Sequence, residues 1–159
     1  MHKQLCKDSA ICRSGLPDYL ITMRKPGENM EPISHPNGLE EFHGDNSPTK
    51  GVLSHERWRR YASPVWMDIN QTDTLQYSSA REEKDERHIC PLQLDTIRRG
   101  LHLWTNPGDL VLSPFAGIGS EGYVALEMGR QFIGMELKES YFKQAVNNLR
   151  NIKKQGILI

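Results

Sequence analysis

From residue 91 onward the apolar positions fall into short, regular groups. Leu92, Leu94, Ile97, Leu101 and Trp104 recur at three- and four-residue spacings, which places them on one face of a helix over about 91–104. Pro91 suits its first turn, where the missing N–H costs nothing. The turn Asn106-Pro107-Gly108-Asp109 ends that helix and feeds Leu110-Val111-Leu112, a run apolar on both faces, as a buried parallel strand requires. Glycines spaced G-x-G-x-x-G follow at Gly117, Gly119 and Gly122. Tyr123, Leu126 and Met128 then predict a second helix, "RQFIGMEL" a second buried strand ending near Glu136, and residues from Ser140 to about Asn151 a third helix. Strand, glycine turn, helix, strand, helix is half of a doubly wound α/β sheet.

The first half has a different texture, with most of the prolines and acidic residues and little periodicity. Tyr19 to Met23 read as a short strand closed by the Lys25-Pro26-Gly27 turn. Residues 28–51 read as a long loop, since turn formers dominate and no period is sustained. "SHERWRRYA", with Ser54 as N-cap, predicts a short helix, and residues 71–87 are polar enough to be a second loop. No internal repeat is visible.

A chain of 159 residues, 37% hydrophobic and 25% charged, can bury the core of one domain. Its three cysteines, Cys6, Cys12 and Cys90, contain no C-x-x-C pair, so neither a disulfide framework nor a structural zinc site is expected, and a reducing compartment is. The start lacks an apolar signal region and no long apolar run follows, which predicts a cytoplasmic protein without a membrane span. Lysine plus arginine equals aspartate plus glutamate at 20 each, so contact with nucleic acid would rest on a local patch.

A glycine turn between strand and helix lets backbone approach a ligand, and an acidic residue at the next strand's end takes ribose hydroxyls. Glu136 stands at that place. NAD and S-adenosylmethionine both present an adenosine ribose, so the turn alone admits either, and a plain packing turn is the third reading. Glu121, in the first turn of the following helix, weighs against a pyrophosphate and is compatible with a sulfonium ligand.

The residues "SPFAGIGS" resemble the D-P-F-x-G-x-G turn of bacterial and phage DNA methyltransferases that modify exocyclic amino groups, and "GMELKESYF" is similar to that family's acidic second-strand motif. With "HICPLQL" upstream, three motifs stand in the family's order, and the resemblance extends over about residues 1–150. It implies an α/β fold, the C-terminal half of a Rossmann-like S-adenosylmethionine-dependent methyltransferase sheet. Residues 1–27 would supply a core strand and turn, 28–87 a target-recognition segment, 88–152 the cofactor half and 153–159 a tail. By the same resemblance Phe115, Gly117 and Gly119 would shape the methionine and ribose side of the pocket, Glu136 would bind the ribose, and His88 and Pro91 would close the other side. Ser113 departs from the family, which has an aspartate near the cofactor's ammonium group; a hydroxyl lacks that charge, so weaker binding is implied.

The family's D-P-P-Y, N-P-P-Y or S-P-P-F catalytic motif does not occur in this sequence. Its nearest counterpart is Ser63-Pro64-Val65-Trp66, in which Ser63 and Trp66 are weak catalytic candidates beside the alternative of a packing turn. The chain therefore resembles a C-terminal portion whose base pocket comes from an N-terminal methyltransferase half, a homo-oligomer being a further arrangement. Non-catalytic subunit or remnant is the rival reading, and an NAD-binding fragment the third. "HERWRRYASPVW" places Arg57, Arg59 and Arg60 among aromatics, a mix suited to DNA phosphates and stacking and equally to a solvated face. His88 and Cys90 form an H-x-C pair too small for a metal site, and His55 and His102 read as surface or packing residues.

Overall fold

The computed structural model describes residues 18–33, 55–76 and 91–155. The chain divides into two units, Met1–Glu31 and Pro32–Ile159. In the first, Arg24 donates from Nη2 to the Gly27 carbonyl at 3.1 Å, closing the anticipated turn, and Gly27 takes the left-handed φ of 126°. Tyr19 to Met23, expected as a strand, pairs with no described strand, and Tyr19, Ile21 and Met23 are exposed. A strand is made by its neighbour's ladder, and none of the described residues supplies one.

The second unit contains α1 (His55–Tyr61), α2 (Leu94–Trp104), β1 (Leu110–Ser113), α3 (Ser120–Glu127), β2 (Gln131–Gly134) and α4 (Glu139–Gln155). Thus α1 forms where the sequence predicted it, whereas Ser54 lies outside the described residues. Helix α2 begins at Leu94 and not at Pro91. Gln93 is still extended, and the Leu94 N–H is satisfied by the Asp73 carbonyl at 2.9 Å, so the preceding loop residue starts the helix from outside. Its other end is closed by Thr105, whose N–H and hydroxyl both donate to the Leu101 carbonyl. Leu94, Ile97 and Leu101 are buried as predicted, but Leu92 and Trp104, beyond the reach of α3, are exposed.

Strands β1 and β2 run parallel, with Leu110 opposite Gln131, Val111 opposite Phe132 and Ser113 opposite Gly134. The strand after the glycines is shorter than expected, ending at Gly134, but its ladder continues through Met135 N–H to the Ser113 carbonyl at 2.9 Å. Helix α3 crosses between them and covers one face. There Val124, fully buried, and Ala125 meet Leu94, Ile97 and Leu101 of α2, with Val111 and Phe132 packed against the cluster. The other face is different. Leu110 and Leu112 are each 57% exposed, with Ile133 and Met135 beside them, so the expectation of a strand buried on both faces holds for one face only. No described element covers the second. Helix α4 starts at Glu139 and extends to Gln155, past the Asn151 that periodicity suggested and into the segment read as a tail.

The third motif glycine has a packing reason. A Cβ on Gly122 would stand 2.5 Å from Phe132 Cε1, so helix α3 can lie this close to β2 only without a side chain there. Gly122→Ala is expected to cost about 1–3 kcal/mol, the range for overpacking a filled core, read as a lowered urea midpoint at unchanged slope.

Candidate cofactor site

The glycine turn sits at the C-terminal ends of β1 and β2, where open α/β sheets bind ligands. Gly117 and Gly119 have φ of 52° and 86°, left-handed values that side-chain-bearing residues resist. One backbone bond stitches the turn to the sheet, Ala116 N–H to the Met135 carbonyl at 2.8 Å, and a second closes the turn on itself, Gly119 N–H to the Ala116 carbonyl at 2.7 Å. An ideal Cβ on Gly117 would meet nothing within 4 Å, so that side of the turn is open to a ligand.

Glu136 closes the site from β2. Its Oε2 accepts the Gly117 N–H at 2.8 Å and its Oε1 the Lys138 N–H at 2.9 Å. The carboxylate is thereby held in one orientation across the end of both strands. Each oxygen keeps a further lone pair, so two hydroxyl donors can still be accepted side by side. Ser113 is buried at the end of β1, and Phe115 stands 88% exposed beside the turn. The structure thus brings Ser113, Phe115, Gly117, Gly119 and Glu136 together. Pro91 is half-buried ahead of α2, and His88 lies outside the described residues. Glu121, in the first turn of α3, is half-buried, and that burial pushes its carboxyl above the usual range.

These residues fit S-adenosylmethionine by their chemistry: an open, left-handed glycine turn, an exposed aromatic, and a preset carboxylate. A pyrophosphate would stand near Glu121 at the same helix end, which is unfavourable to NAD.

The other candidates lie on α1 and the turn after it. Ser63 Oγ is engaged locally, donating to the Val65 carbonyl at 2.9 Å and accepting the Val65 N–H at 3.3 Å. Trp66 donates from Nε1 to the Tyr61 carbonyl at 3.1 Å. Such engagement is what a packing turn looks like. Arg57 donates to the Tyr61 hydroxyl at 3.1 Å and lies over its ring, and Arg60 pairs with Asp68 at 3.5 Å. Arg59 and Trp58 are exposed. His102 is buried, its ring 5.7 Å from that of Tyr61, which fits a packing role. Cys6, Cys12, Cys90 and the segment 34–54 lie outside the described residues. Among the described residues no group of three or more His, Cys, Asp or Glu is arranged to hold a metal ion, and no helix is long and apolar enough to cross a membrane.

Two residues that the pattern of the sequence did not single out organise this unit. Arg99 is 3% exposed, donates to Asp68 at 2.9 Å and pairs with Asp95 at 2.7 Å, and lies 5.3 Å from the ring centres of Tyr61 and Trp66. It fastens the 61–68 turn to α2. The Asp95–Arg99 half was legible as an i,i+4 pair, but Asp68 is too distant in sequence to be matched. Asn148 on α4 donates from Nδ2 to the Ile118 carbonyl at 2.8 Å, a contact without any sequence signal.

Comparison with known proteins bears on the same residues. The DNA methylase family, with N6 and N4 specificities, matches residues 17–147. Type II methyltransferase M1.MboII of Moraxella bovis is 30% identical over 129 residues, covering 77% of this chain and 45% of that protein. DNA adenine methyltransferase YhdJ of Escherichia coli K12 is 49% identical over 64 residues, 40% of this chain and 22% of its own length. Among solved structures, TTHA0409 of Thermus thermophilus, complexed with S-adenosyl-L-methionine, has a similar fold at TM-score 0.54 and 22% identity, covering 86% of this chain and 47% of that one. The chain spans less than half the length of these relatives. With the family's turn and acidic strand end both in place, the chain belongs to the S-adenosylmethionine-dependent DNA methylases that modify the amino groups of adenine N6 or cytosine N4.

Proposed function

We propose that these residues form the methyl-donor side of a DNA amino-methyltransferase, with S-adenosylmethionine seated on the 115–119 turn and its ribose on Glu136. The observation that carries this reading is the Glu136 carboxylate, fixed by the Gly117 and Lys138 amides with acceptor capacity left over. The bound cofactor supplies an electrophilic methyl group. The chain's part is to orient it: Phe115 and Gly117 would border the cofactor, Pro91 would close its far side, and Ser113 would accept from the ammonium group. With no carboxylate at Ser113, the ammonium group gains less there than in relatives with aspartate.

Transfer requires an extruded base whose amino group lies in line with the donor, and positioning and desolvation provide most of the rate. The P-P-aromatic element that holds such a base is absent from this sequence. We place it on an N-terminal methyltransferase half, acting in the cytoplasm. Leu110, Leu112 and Ile133, exposed on the bare sheet face, support this arrangement, because parallel sheets are stable when both faces are covered. DNA would meet the 28–87 segment, where Arg59 and Trp58 are exposed for phosphate and stacking contacts.

Calorimetric titration with S-adenosylhomocysteine, alongside NAD, tests the donor side. Saturable binding of S-adenosylhomocysteine and none of NAD is expected; the reverse preference would overturn the reading. The 159-residue chain alone is expected to transfer no methyl group from labelled S-adenosylmethionine to adenine- or cytosine-containing duplexes, and turnover would refute the assignment of the base pocket elsewhere.

A further inference from the structure

Helix α4 presents one face to the back of the glycine turn. Tyr141 packs on the Ile118 side chain, which is 4% exposed. One turn further, Ala145 lies so close to Gly119 that a Cβ on the glycine would come within 3.1 Å of its own Cβ. Asn148 follows and donates from Nδ2 to the Ile118 carbonyl at 2.8 Å. The Gln144 amide in turn donates from Nε2 to Asn148 Oδ1 at 2.9 Å. The front of the turn, at Gly117, faces open space.

We propose that Asn148 is a positioning residue for the cofactor turn, with Gln144 setting which end of its amide faces Ile118. The proposal rests on the turn being the S-adenosylmethionine site. Between two glycines the backbone has wide conformational freedom, so a ligand that reads the turn by close approach must restrict it on binding unless the protein has done so already. The peptide unit joining Ile118 to Gly119 is held at both ends, its carbonyl by Asn148 and its N–H by the Ala116 carbonyl. An asparagine amide can donate from nitrogen or accept at oxygen, and only the nitrogen can satisfy a carbonyl. Because Gln144 donates to the oxygen, the nitrogen is left toward Ile118. A carboxylate at either position breaks this logic. In Asn148→Asp the group facing Ile118 can no longer donate. Gln144→Glu, nearly isosteric, presents an acceptor to Oδ1, and the Asn148 amide is expected to turn its oxygen toward the Ile118 carbonyl.

The test combines titration of the folded chain with S-adenosylhomocysteine and hydrogen exchange of the Gly119 amide, for wild type, Asn148→Asp, Gln144→Glu and the exposed-site control Asn147→Asp. Both α4 variants are expected to bind roughly five- to tenfold more weakly, the loss of one hydrogen bond, and to exchange Gly119 faster at unchanged helix content. The control should match wild type. Affinities within twofold of wild type with unchanged Gly119 exchange would overturn the proposal, as would an equal effect from Asn147→Asp. Should Asn148→Asp fail to fold, Gln144→Glu decides by the same two readings. If wild type binds no S-adenosylhomocysteine, the cofactor reading fails by itself, and Gly119 exchange in Gln144→Glu still supports or overturns the role of Asn148 as the brace of the turn.

Discussion

Glu136→Ala is expected to lower the affinity for S-adenosylhomocysteine by at least about a hundredfold. Two ribose hydroxyls bonding a carboxylate contribute about 1.5–3 kcal/mol each, and a 1.4 kcal/mol loss is tenfold in affinity. The substitution also releases the Gly117 and Lys138 amides, which now share the two carboxylate oxygens. Those amides lie at the rim of the sheet and can turn to water, so the fold should survive while the preset turn loosens. Glu136→Gln separates the two effects. It retains one acceptor and turns the other into a donor facing an amide, so affinity should fall between wild type and the alanine variant. Calorimetry beside circular dichroism checks both, and a Glu136→Ala variant binding within threefold of wild type would remove the ribose role from this residue.

The second large effect is expected at Arg99. Arg99→Met keeps the length of the side chain but removes the cation held between Asp68, Asp95, Tyr61 and Trp66. Breaking a buried ion pair typically costs about 3–5 kcal/mol. Here both carboxylates reach water and recover solvation, so about 2–3 kcal/mol is expected, read from urea unfolding. Trypsin should cut faster at Arg57, Arg59 and Arg60, because the 61–68 turn is no longer fastened to α2. The pH dependence has a definite sign. The hydrogen bond from Arg99 holds the Asp68 carboxyl below its ordinary value of 3.8, with smaller help from the charges of Arg99 and Arg60 against opposing desolvation. The folded pKa is depressed, so this contribution is present above that ordinary value and lost as the pH falls below it. Wild type should therefore lose part of its advantage over Arg99→Met on acidification, and a difference that does not change between about pH 6 and the acid transition would rule out the Asp68 pairing as its source.

The period of apolar residues sufficed for α2, α3, α4 and both strands, because α2, α3 and the strands each turn one face to a shared core around Val124 and Ala125, and α4 turns one face to Ile118. Boundaries were less legible. Helix α2 starts three residues after Pro91 because the Asp73 carbonyl, from a loop with no period of its own, accepts the Leu94 N–H. Tyr19 to Met23 has strand composition, yet a strand exists only where a neighbour offers a ladder.

What the sequence determined by itself was the local chemistry: glycines where the turn takes left-handed φ, a glycine where α3 meets Phe132, an acid at the end of the second strand, and the family these motifs mark. Those features depend on residue type at short spacing. Only the tertiary structure decided that Glu136 bonds the Gly117 amide, that Arg99 gathers Asp68 with Asp95, and that Asn148 holds the Ile118 carbonyl. Each joins segments remote in sequence, and a single polar residue carries no periodic signal of the partner that folding will bring to it.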